Sequence, residues 1–269
     1  LVVVLGVWDS WEDDAFVHVM SIGYLADQDK VHRLDHDGTF FKSRGPFTVP
    51  RSPQGHPMII QAGQSGRGKK FGARWGELIF LNYPNIEVGK KEYAEFKSDV
   101  ANMGRDPEHV KITPAIYTVA AATKSEAEDK YALIDKLPTE GDALSLLSEA
   151  LNFDFSVKGL DDPFTKEELD SIQGLQAIRD RVIELSKGPN PTVRDFIKYI
   201  QRGRQRDPIV GGPKEVADKL EEWFVERACD GFVFAASYTP GSYEDIVDHV
   251  VPELQKRGLY HKDSVSYTH

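Results

Sequence analysis

The sequence predicts an α/β fold built on a parallel β-sheet. Four short runs have the apolar character of buried strands, and each adjoins a helical pattern, as in successive βα units. The glycine-rich residues 63–68 fall between the first run and its helix, where α/β proteins have a tight turn. The four predicted strands are residues 57–62, 78–83, 110–121 and 231–235.

Each predicted strand has a helical neighbour in the sequence. Helical patterns at residues 69–76 and about 90–103 follow the first two strands. An amphipathic pattern at 213–227 precedes the last strand, and another at 243–257 follows it. The order of these elements is that of a sheet covered by helices.

Two further segments do not fit the βα alternation. Residues 124–202 are charged, form helices and contain no strand pattern, so we expect a helical insertion rather than a second domain. Within residues 31–49, strand-like residues alternate with turn residues. The run His36-Asp37-Gly38 followed by Thr39 predicts a hairpin there.

Composition excludes several classes of protein. The formal net charge is -10, with 43 acidic residues against 33 basic ones, which disfavours a nucleic-acid partner. No apolar run approaches the roughly 20 residues of a membrane helix. Cys229 is the only cysteine, so an intramolecular disulfide is impossible, and we expect a reducing, cytoplasmic location.

The glycine-rich turn is the first candidate site. Gly63, Gln64 and Ser65 follow a strand and precede a helix, where free backbone N–H groups, the Ser65 hydroxyl and Arg67 can hold a phosphate. Glycines between a strand and a helix also serve simply as a tight turn. Both interpretations stay open on the residues alone.

Other motifs carry less chemistry. Gly211-Gly212-Pro213 reads as a helix start with Pro213 at the first helical position, and a second glycine turn near a ligand is the alternative. His32 and His36 lie four residues apart in a loop, and no zinc-type histidine pair is present, so we expect no metal. Ser65 lacks the glycine two places later that a hydrolase elbow requires.

Several segments, taken in order, resemble one group of flavoproteins. The chain is similar to the nitrilotriacetate, dibenzothiophene-sulfone and dimethyl-sulfide monooxygenases of the bacterial-luciferase-like family. The resemblance runs over nearly the whole chain. Its main segments are residues 5–15, 31–41, 45–46, 50–57, 61–65, 210–213, 230–232 and 251–259.

The resemblance implies a TIM barrel that uses reduced FMN and O2 to insert one oxygen atom into a small organic substrate. A separate NAD(P)H:flavin reductase would supply the reduced FMN. Gly63, Gln64 and Ser65 would lie on the loop after the fifth barrel strand, which contributes to FMN binding. This agrees with the phosphate interpretation of the same turn.

The resemblance also implies what is missing. Trp8 corresponds to the helix after the fourth strand, so residues 1–269 are expected to form one luciferase-like domain that is incomplete at its N-terminus. It would hold only barrel strands five to eight and the helical insertion. The catalytic residues would lie mainly in the first four strands, and none is assigned here. Exposed apolar edges on the first and last strands predict a homo-oligomer.

Two alternatives remain at this point. One is a deazaflavin-dependent oxidoreductase of the same superfamily, which would transfer hydride instead of activating O2. The other is a non-catalytic remnant that acts as an interaction module. The substrate is not determined, and residues 12–30 depart from the family pattern, with Val17-His18-Val19-Met20-Ser21 where a charged loop is usual.

Overall fold

A computed structural model describes residues 1–62, 66–186, 188, 190–200 and 208–262. The chain divides into two compact units, Leu1–Ile60 and Gln61–His269. No helix in these described ranges is long and apolar enough to cross a membrane.

The first unit has one helix and two antiparallel hairpins. Helix α1 (Val2–Trp8) is followed by β1 (Phe16–Val19) paired with β2 (Tyr24–Ala26), and then by β3 (His36–Asp37) paired with β4 (Lys42–Ser43). In β3 and β4, His36 lies opposite Ser43 around the turn at Gly38. The pair β1 and β2 has no counterpart in the sequence prediction.

The buried Ser10 hydroxyl organises the segment after α1. It donates to the Val7 carbonyl at 2.6 Å and accepts from the Phe47 N–H at 2.8 Å. The Trp11 indole N–H donates to the Phe47 carbonyl at 2.8 Å. Two of these three hydrogen bonds hold Phe47 beside the end of the helix.

A five-stranded sheet runs through the second unit, beginning with a strand at its boundary. Its order is β5-β6-β7-β8, and β9 also pairs with β7; the β6, β8 and β9 pairings with β7 are parallel. Among the described residues, β5 and β9 each pair with one other strand. The strands are β5 (Ile60–Gln61), β6 (Leu78–Leu81), β7 (Lys111–Ala120), β8 (Ile209–Gly211) and β9 (Val233–Ala236).

Helices connect the strands. They are α2 (Gly66–Trp75), α3 (Ile86–Asn102), α4 (Lys124–Lys136), α5 (Glu140–Leu151), α6 (Lys166–Ser171), α7 (Gln176–Leu185), α8 (Val193–Ile200), α9 (Pro213–Val225), α10 (Gly241–Asp245) and α11 (Val251–Lys256). A π-helical turn, Ile246–Val250, joins α10 to α11. The predicted parallel α/β arrangement is confirmed.

Local sequence signals explain where several helices begin. The Asn85 side chain accepts from the Val88 N–H at 2.9 Å and caps α3. Thr123, Thr139 and Thr165 each form a reciprocal capping box with the acidic residue three positions later. These boxes begin α4, α5 and α6 and account for much of the helix content of the insertion.

One face of the sheet is buried under helices. In β6, Ile79 and Leu81 are buried while Leu78 and Phe80 are only half-buried. Ile116 and Ala120 of β7 pack against α9 and the π-helical turn. Side chains alternate between the two faces of a strand, so the opposite face of β6 is partly exposed, whereas Ala115 and Val119 on the opposite face of β7 are buried as well.

The insertion has its own hydrophobic core. Phe155, Phe164 and Phe196 are fully buried, and their rings meet edge to face at centroid distances of 5.2 to 5.7 Å. This core is assembled from α5 to α8 and the loops between them. Residues 201 and 202, at the end of the predicted insertion, lie outside the described residues.

Strand β8 is the main difference from the sequence prediction within the sheet. The sequence predicts no strand at residues 209–211, yet they pair with Thr118 to Ala120 of β7. The strand has three residues and ends in glycine, so it is too short to show a periodicity. Pro213 is the first residue of α9, as predicted.

Candidate functional site at the carboxyl edge of the sheet

The carboxyl ends of the parallel strands mark the edge where α/β proteins bind ligands. Strand β6 leads into Asn82 and Tyr83, and β7 leads into Thr123, the cap of α4. Strand β8 leads into Gly212 and β9 into Ser237. The side chains at this edge are therefore the candidates for a functional site.

The predicted cofactor-binding residues Gly63, Gln64 and Ser65 lie outside the described residues. Their flanks are described: β5 ends at Gln61, and α2 begins at Gly66. The segment therefore joins the carboxyl end of a strand to the N-terminus of a helix, which is the topology that the sequence predicts.

The N-terminus of α2 has the chemistry of an anion-binding end. Its first turn contains no acidic residue, and Arg67 is exposed there. Within the described part of the chain, a Cβ at Gly66 would meet no atom within 4 Å other than those of its chain neighbours and its own helix. A helix N-terminus, a nearby cation and the absence of a carboxylate are features that favour phosphate binding.

Tyr83 is a buried phenol at the carboxyl end of β6. It is 3% exposed, and its ring packs near Gly89 of α3 and beside Trp223. Burial raises the pKa of Tyr83, and the nearby Glu92 carboxylate raises it further. Glu92 also accepts a hydrogen bond from Lys69 of α2. Tyr83 therefore stays protonated at any physiological pH.

Three side chains converge at the carboxyl ends of β7 and β9, and we call them the carboxyl-edge cluster: Lys130, Tyr238 and Asp245. The Lys130 ammonium donates to Asp245 at 2.7 Å and to the Ala120 carbonyl at 3.2 Å. The Tyr238 hydroxyl donates to the same carboxylate. The Lys130 nitrogen also lies 5.6 Å from the centre of the Tyr238 ring.

Electrostatics keep Lys130 charged and Tyr238 neutral at neutral pH. Burial lowers the pKa of Lys130, but its hydrogen bonds to Asp245 and Tyr238 more than offset that effect, so the pKa is raised overall. Burial also raises the pKa of Tyr238, as does its hydrogen bond to Asp245. The ammonium stays charged and the phenol stays neutral.

Hydroxyl groups fix the loop after β9. The buried Ser242 hydroxyl accepts from the N–H groups of Ser237 and Tyr238 at 3.1 and 3.0 Å. The Ser237 hydroxyl donates to the Thr118 carbonyl at 3.1 Å. The Thr118 hydroxyl itself is buried and has no hydrogen-bond partner within the described residues.

Gly212 allows two helix starts to approach each other. A Cβ at Gly212 would lie 3.2 Å from the backbone nitrogen of Lys124 and 3.0 Å from a Glu215 carboxylate oxygen. Its φ of -74° is ordinary, so the requirement for glycine comes from the close approach to α4. The predicted helix-start role of Gly211-Gly212-Pro213 therefore also includes a packing role.

A second group of three lies at the opposite end of the sheet, and we call it the amino-edge cluster: Tyr93, Lys97 and Asp230. The Asp230 carboxylate accepts from the Tyr93 hydroxyl at 2.9 Å and from the Ile112 N–H at 2.8 Å. The Lys97 ammonium lies 3.1 Å from it and donates to the Val110 carbonyl at 2.7 Å. In barrels of parallel strands, this end of the sheet serves stability rather than catalysis.

The remaining candidates stay apart. His32 lies 2.7 Å from Glu12, and within the described ranges no three metal-ligating side chains come together. Burial raises the pKa of the Cys229 thiol to about 12, so it is not a nucleophile. Sequence reasoning assigned no role to Lys130, Tyr238 or Asp245, which are far apart along the chain and share no motif.

The sequence of this chain is similar to those of known monooxygenases. Residues 24–231 match the family model of the luciferase-like monooxygenases. Nitrilotriacetate monooxygenase component A of Aminobacter aminovorans is 38% identical over 259 residues, which are 96% of this chain and 57% of that protein. The predicted resemblance to this group is confirmed.

Solved structures agree with the sequence comparison. The crystal structure of DmoA from Hyphomicrobium sulfonivorans matches with a TM-score of 0.77 and 33% identity over 97% of this chain and 55% of that one. Riboflavin lyase, solved with a modified FMN and riboflavin, matches with a TM-score of 0.77 and 31% identity over 96% of this chain and 56% of its own. The chain thus spans little more than half the length of these relatives, and the luciferase-like fold class is confirmed.

Proposed function

Because the chain belongs to the luciferase-like monooxygenase family, we propose that it is part of a flavin-dependent monooxygenase. Such an enzyme uses reduced FMN and O2 to insert one oxygen atom into a small organic substrate. The relative named component A supports a two-component system, in which a separate NAD(P)H:flavin reductase supplies the reduced flavin. The modified FMN in riboflavin lyase supports FMN as the cofactor. A reductase of this kind and a single buried cysteine favour a cytoplasmic location.

The observation that carries this proposal is the helix start after β5. Backbone N–H groups at the N-terminus of α2, the Ser65 hydroxyl and the Arg67 guanidinium would hold the FMN phosphate, with Gly63 and Gln64 giving the backbone close access. The absence of an acidic residue in the first turn of α2 suits an anionic group. Bound reduced flavin supplies the electrons that activate O2.

The protein's own residues would shape the rest of the site. Tyr83 stays protonated at the same edge, and the carboxyl-edge cluster holds the loop after β9 in one conformation. The insertion leaves the sheet at the carboxyl end of β7, and the strand that follows it, β8, pairs with the last three residues of β7, close to the same edge. We therefore assign the walls of the substrate pocket in part to the insertion.

The experiment is a titration of the full chain with FMN, followed by flavin fluorescence, with riboflavin as the control that lacks the phosphate. We expect saturable binding of FMN and at least about tenfold weaker binding of riboflavin, because a lost charge-assisted phosphate contact costs about 1.5–3 kcal/mol. Arg67→Gln should weaken FMN binding and leave riboflavin binding unchanged.

Lys70→Gln is the matched control, since Lys70 is also exposed and lies on the same helix. Equal losses in the two variants would point to general electrostatics rather than to a phosphate site at Arg67. Equal affinity for FMN and riboflavin would refute phosphate recognition, and no binding of either would show that this chain does not bind flavin by itself.

A further inference from the structure

The outer face of α2 carries a stripe of positive charge. Arg67, Lys70 and Arg74 are all exposed, and residues three, four and seven apart lie on one side of a helix. At 1.5 Å per residue, the stripe is about 10 Å long. The helix contains no Asp or Glu, and within the described part of the chain none of these three cations forms an ion pair. Such a stripe is unexpected on a chain whose formal net charge is -10.

The nearest carboxylates do not neutralise this stripe. Glu92 of α3 accepts a hydrogen bond from Lys69, a partly buried lysine of α2 that lies outside the stripe. Glu77 comes after the last residue of the helix. The charge of the stripe is therefore available to an external partner.

Aromatic side chains adjoin the cations. Phe71 is 40% exposed and lies one turn before Trp75, which is half-buried. The Arg74 guanidinium lies 5.0 Å from the centre of the Trp75 ring, so a cation–π contact holds it in place. The packed side of the helix is instead formed by the small residues Gly72 and Ala73. Arginine and aromatic residues are the types enriched at the centres of protein–protein interfaces.

We propose that this surface of α2, which we call the basic face (Lys70, Phe71, Arg74 and Trp75), docks an acidic segment of a partner protein. Carboxylates of the partner pair with Lys70 and Arg74, and an apolar side chain of the partner lies on Phe71. The charge of the basic face is complementary to such a segment. The inference does not depend on the proposed function.

Other anionic partners suit this surface less well. A nucleic acid or an anionic membrane presents an extended array of negative charge. A stripe about 10 Å long meets only a few of those charges, whereas the 43 acidic residues of the chain repel the rest. A short acidic segment with apolar side chains avoids this repulsion and also uses the aromatic residues.

The test is fluorescence anisotropy of a fluorescein-labelled peptide of about 15 residues, made of Glu, Asp and Leu, titrated with the full chain at low salt. We expect saturable binding that weakens as salt is added, because the contacts are exposed charges. The same peptide with Gln and Asn in place of Glu and Asp should bind at least about tenfold more weakly. No saturable binding of the acidic peptide, or equal binding of the two peptides, would overturn the proposal.

Charge reversal locates the site. The double variant Lys70→Glu with Arg74→Glu should raise the dissociation constant of the acidic peptide at least about tenfold. Lys136→Glu with Lys166→Glu is the matched control, since both lysines are exposed, lie on α4 and α6, and change the net charge equally. Equal losses in the two double variants would show that only net charge acts, and would contradict a docking site on α2.

Phe71→Ala tests docking without a change of charge. It should raise the same dissociation constant about three- to tenfold, because the apolar contact is lost. Leu133→Ala, at a residue of α4 that is 67% exposed, should leave the constant unchanged. An unaltered affinity in Phe71→Ala would reduce the contact to diffuse attraction and refute docking. Tighter binding of a thymidine oligonucleotide or of phosphatidylserine vesicles than of the peptide would assign the stripe to that partner instead.

Discussion

The two ends of the sheet hold clusters of the same three residue types in different surroundings. At the amino edge, the Lys97 and Asp230 side chains are each 11% exposed, and two backbone carbonyls and a backbone N–H complete their hydrogen bonds. At the carboxyl edge, the Lys130 side chain is 32% exposed and that of Asp245 is 15% exposed. The same three residue types thus form a buried cluster at the amino edge and a solvent-accessible cluster at the carboxyl edge.

Burial and position, rather than composition, separate the two roles. A buried pair is costly to break because the remaining charge stays out of water. A partly exposed pair can recover much of its loss by hydration. The amino-edge cluster should therefore dominate stability, while the carboxyl-edge cluster lies where ligands bind in this fold.

The largest loss of stability should follow from Asp230→Ala. This change leaves the Lys97 ammonium buried without its carboxylate and removes the acceptor of the Ile112 N–H and the Tyr93 hydroxyl. We expect the free energy of unfolding in urea to fall by about 3–5 kcal/mol. Asp99→Ala, on the exposed side of α3, is the control and should change it by less than about 0.5 kcal/mol. A small loss for Asp230→Ala would remove the contrast between the two ends.

A smaller loss of stability is expected from Asp245→Ala. The Lys130 ammonium can reach water once the carboxylate is gone, and it keeps the Ala120 carbonyl as an acceptor. The free energy of unfolding should fall by about 1–2 kcal/mol, the cost of leaving hydrogen-bond partners partly unsatisfied. A loss equal to that of Asp230→Ala, measured in the same urea titration, would contradict the difference in burial.

Alkaline pH should act on the amino-edge cluster through Tyr93. Burial and the hydrogen bond to Asp230 raise the pKa of Tyr93 from 10.0 to about 12. Its stabilising contribution is fully present below pH 10 and is lost as pH rises to about 12, because the unfolded chain loses the proton first. Urea unfolding between pH 9 and 12 should show this decline, and Tyr93→Phe should reduce it. An identical decline in Tyr93→Phe would assign the effect to other groups.

The smallest expected effect is a change in FMN affinity, and two equivalent substitutions, one at each end of the sheet, test it. Tyr93→Phe and Tyr238→Phe each remove one hydroxyl that donates to an aspartate. We expect Tyr238→Phe to raise the FMN dissociation constant about two- to tenfold, because the loop after β9 loses a hydrogen bond worth about 0.5–1.5 kcal/mol. Tyr93→Phe should leave it unchanged. Equal shifts in the two variants would show that the ends of the sheet are not functionally distinct.

Much of the fold could be predicted because its signals are local. Strand β7 was predicted at residues 110–121 and is observed at Lys111–Ala120, with Pro114 inside it. The capping boxes and the Pro213 helix start are also local and fix helix boundaries within a few residues. Strand β5 is shorter than predicted, and β8 was missed, because strands of two or three residues leave too short a pattern.

By itself, the sequence determined the parallel α/β class, four strands of the sheet and the family, because each depends on patterns of neighbouring residues or on matching segments in order. Only the tertiary structure decided which polar side chains act together. Lys130 and Asp245 are 115 positions apart, and Tyr93 and Asp230 are 137 apart. No local pattern links such residues, since the turns of the intervening chain bring them together. Burial also depends on the tertiary structure, and it makes the amino-edge cluster a buried, stabilising group while the carboxyl-edge cluster stays accessible to solvent.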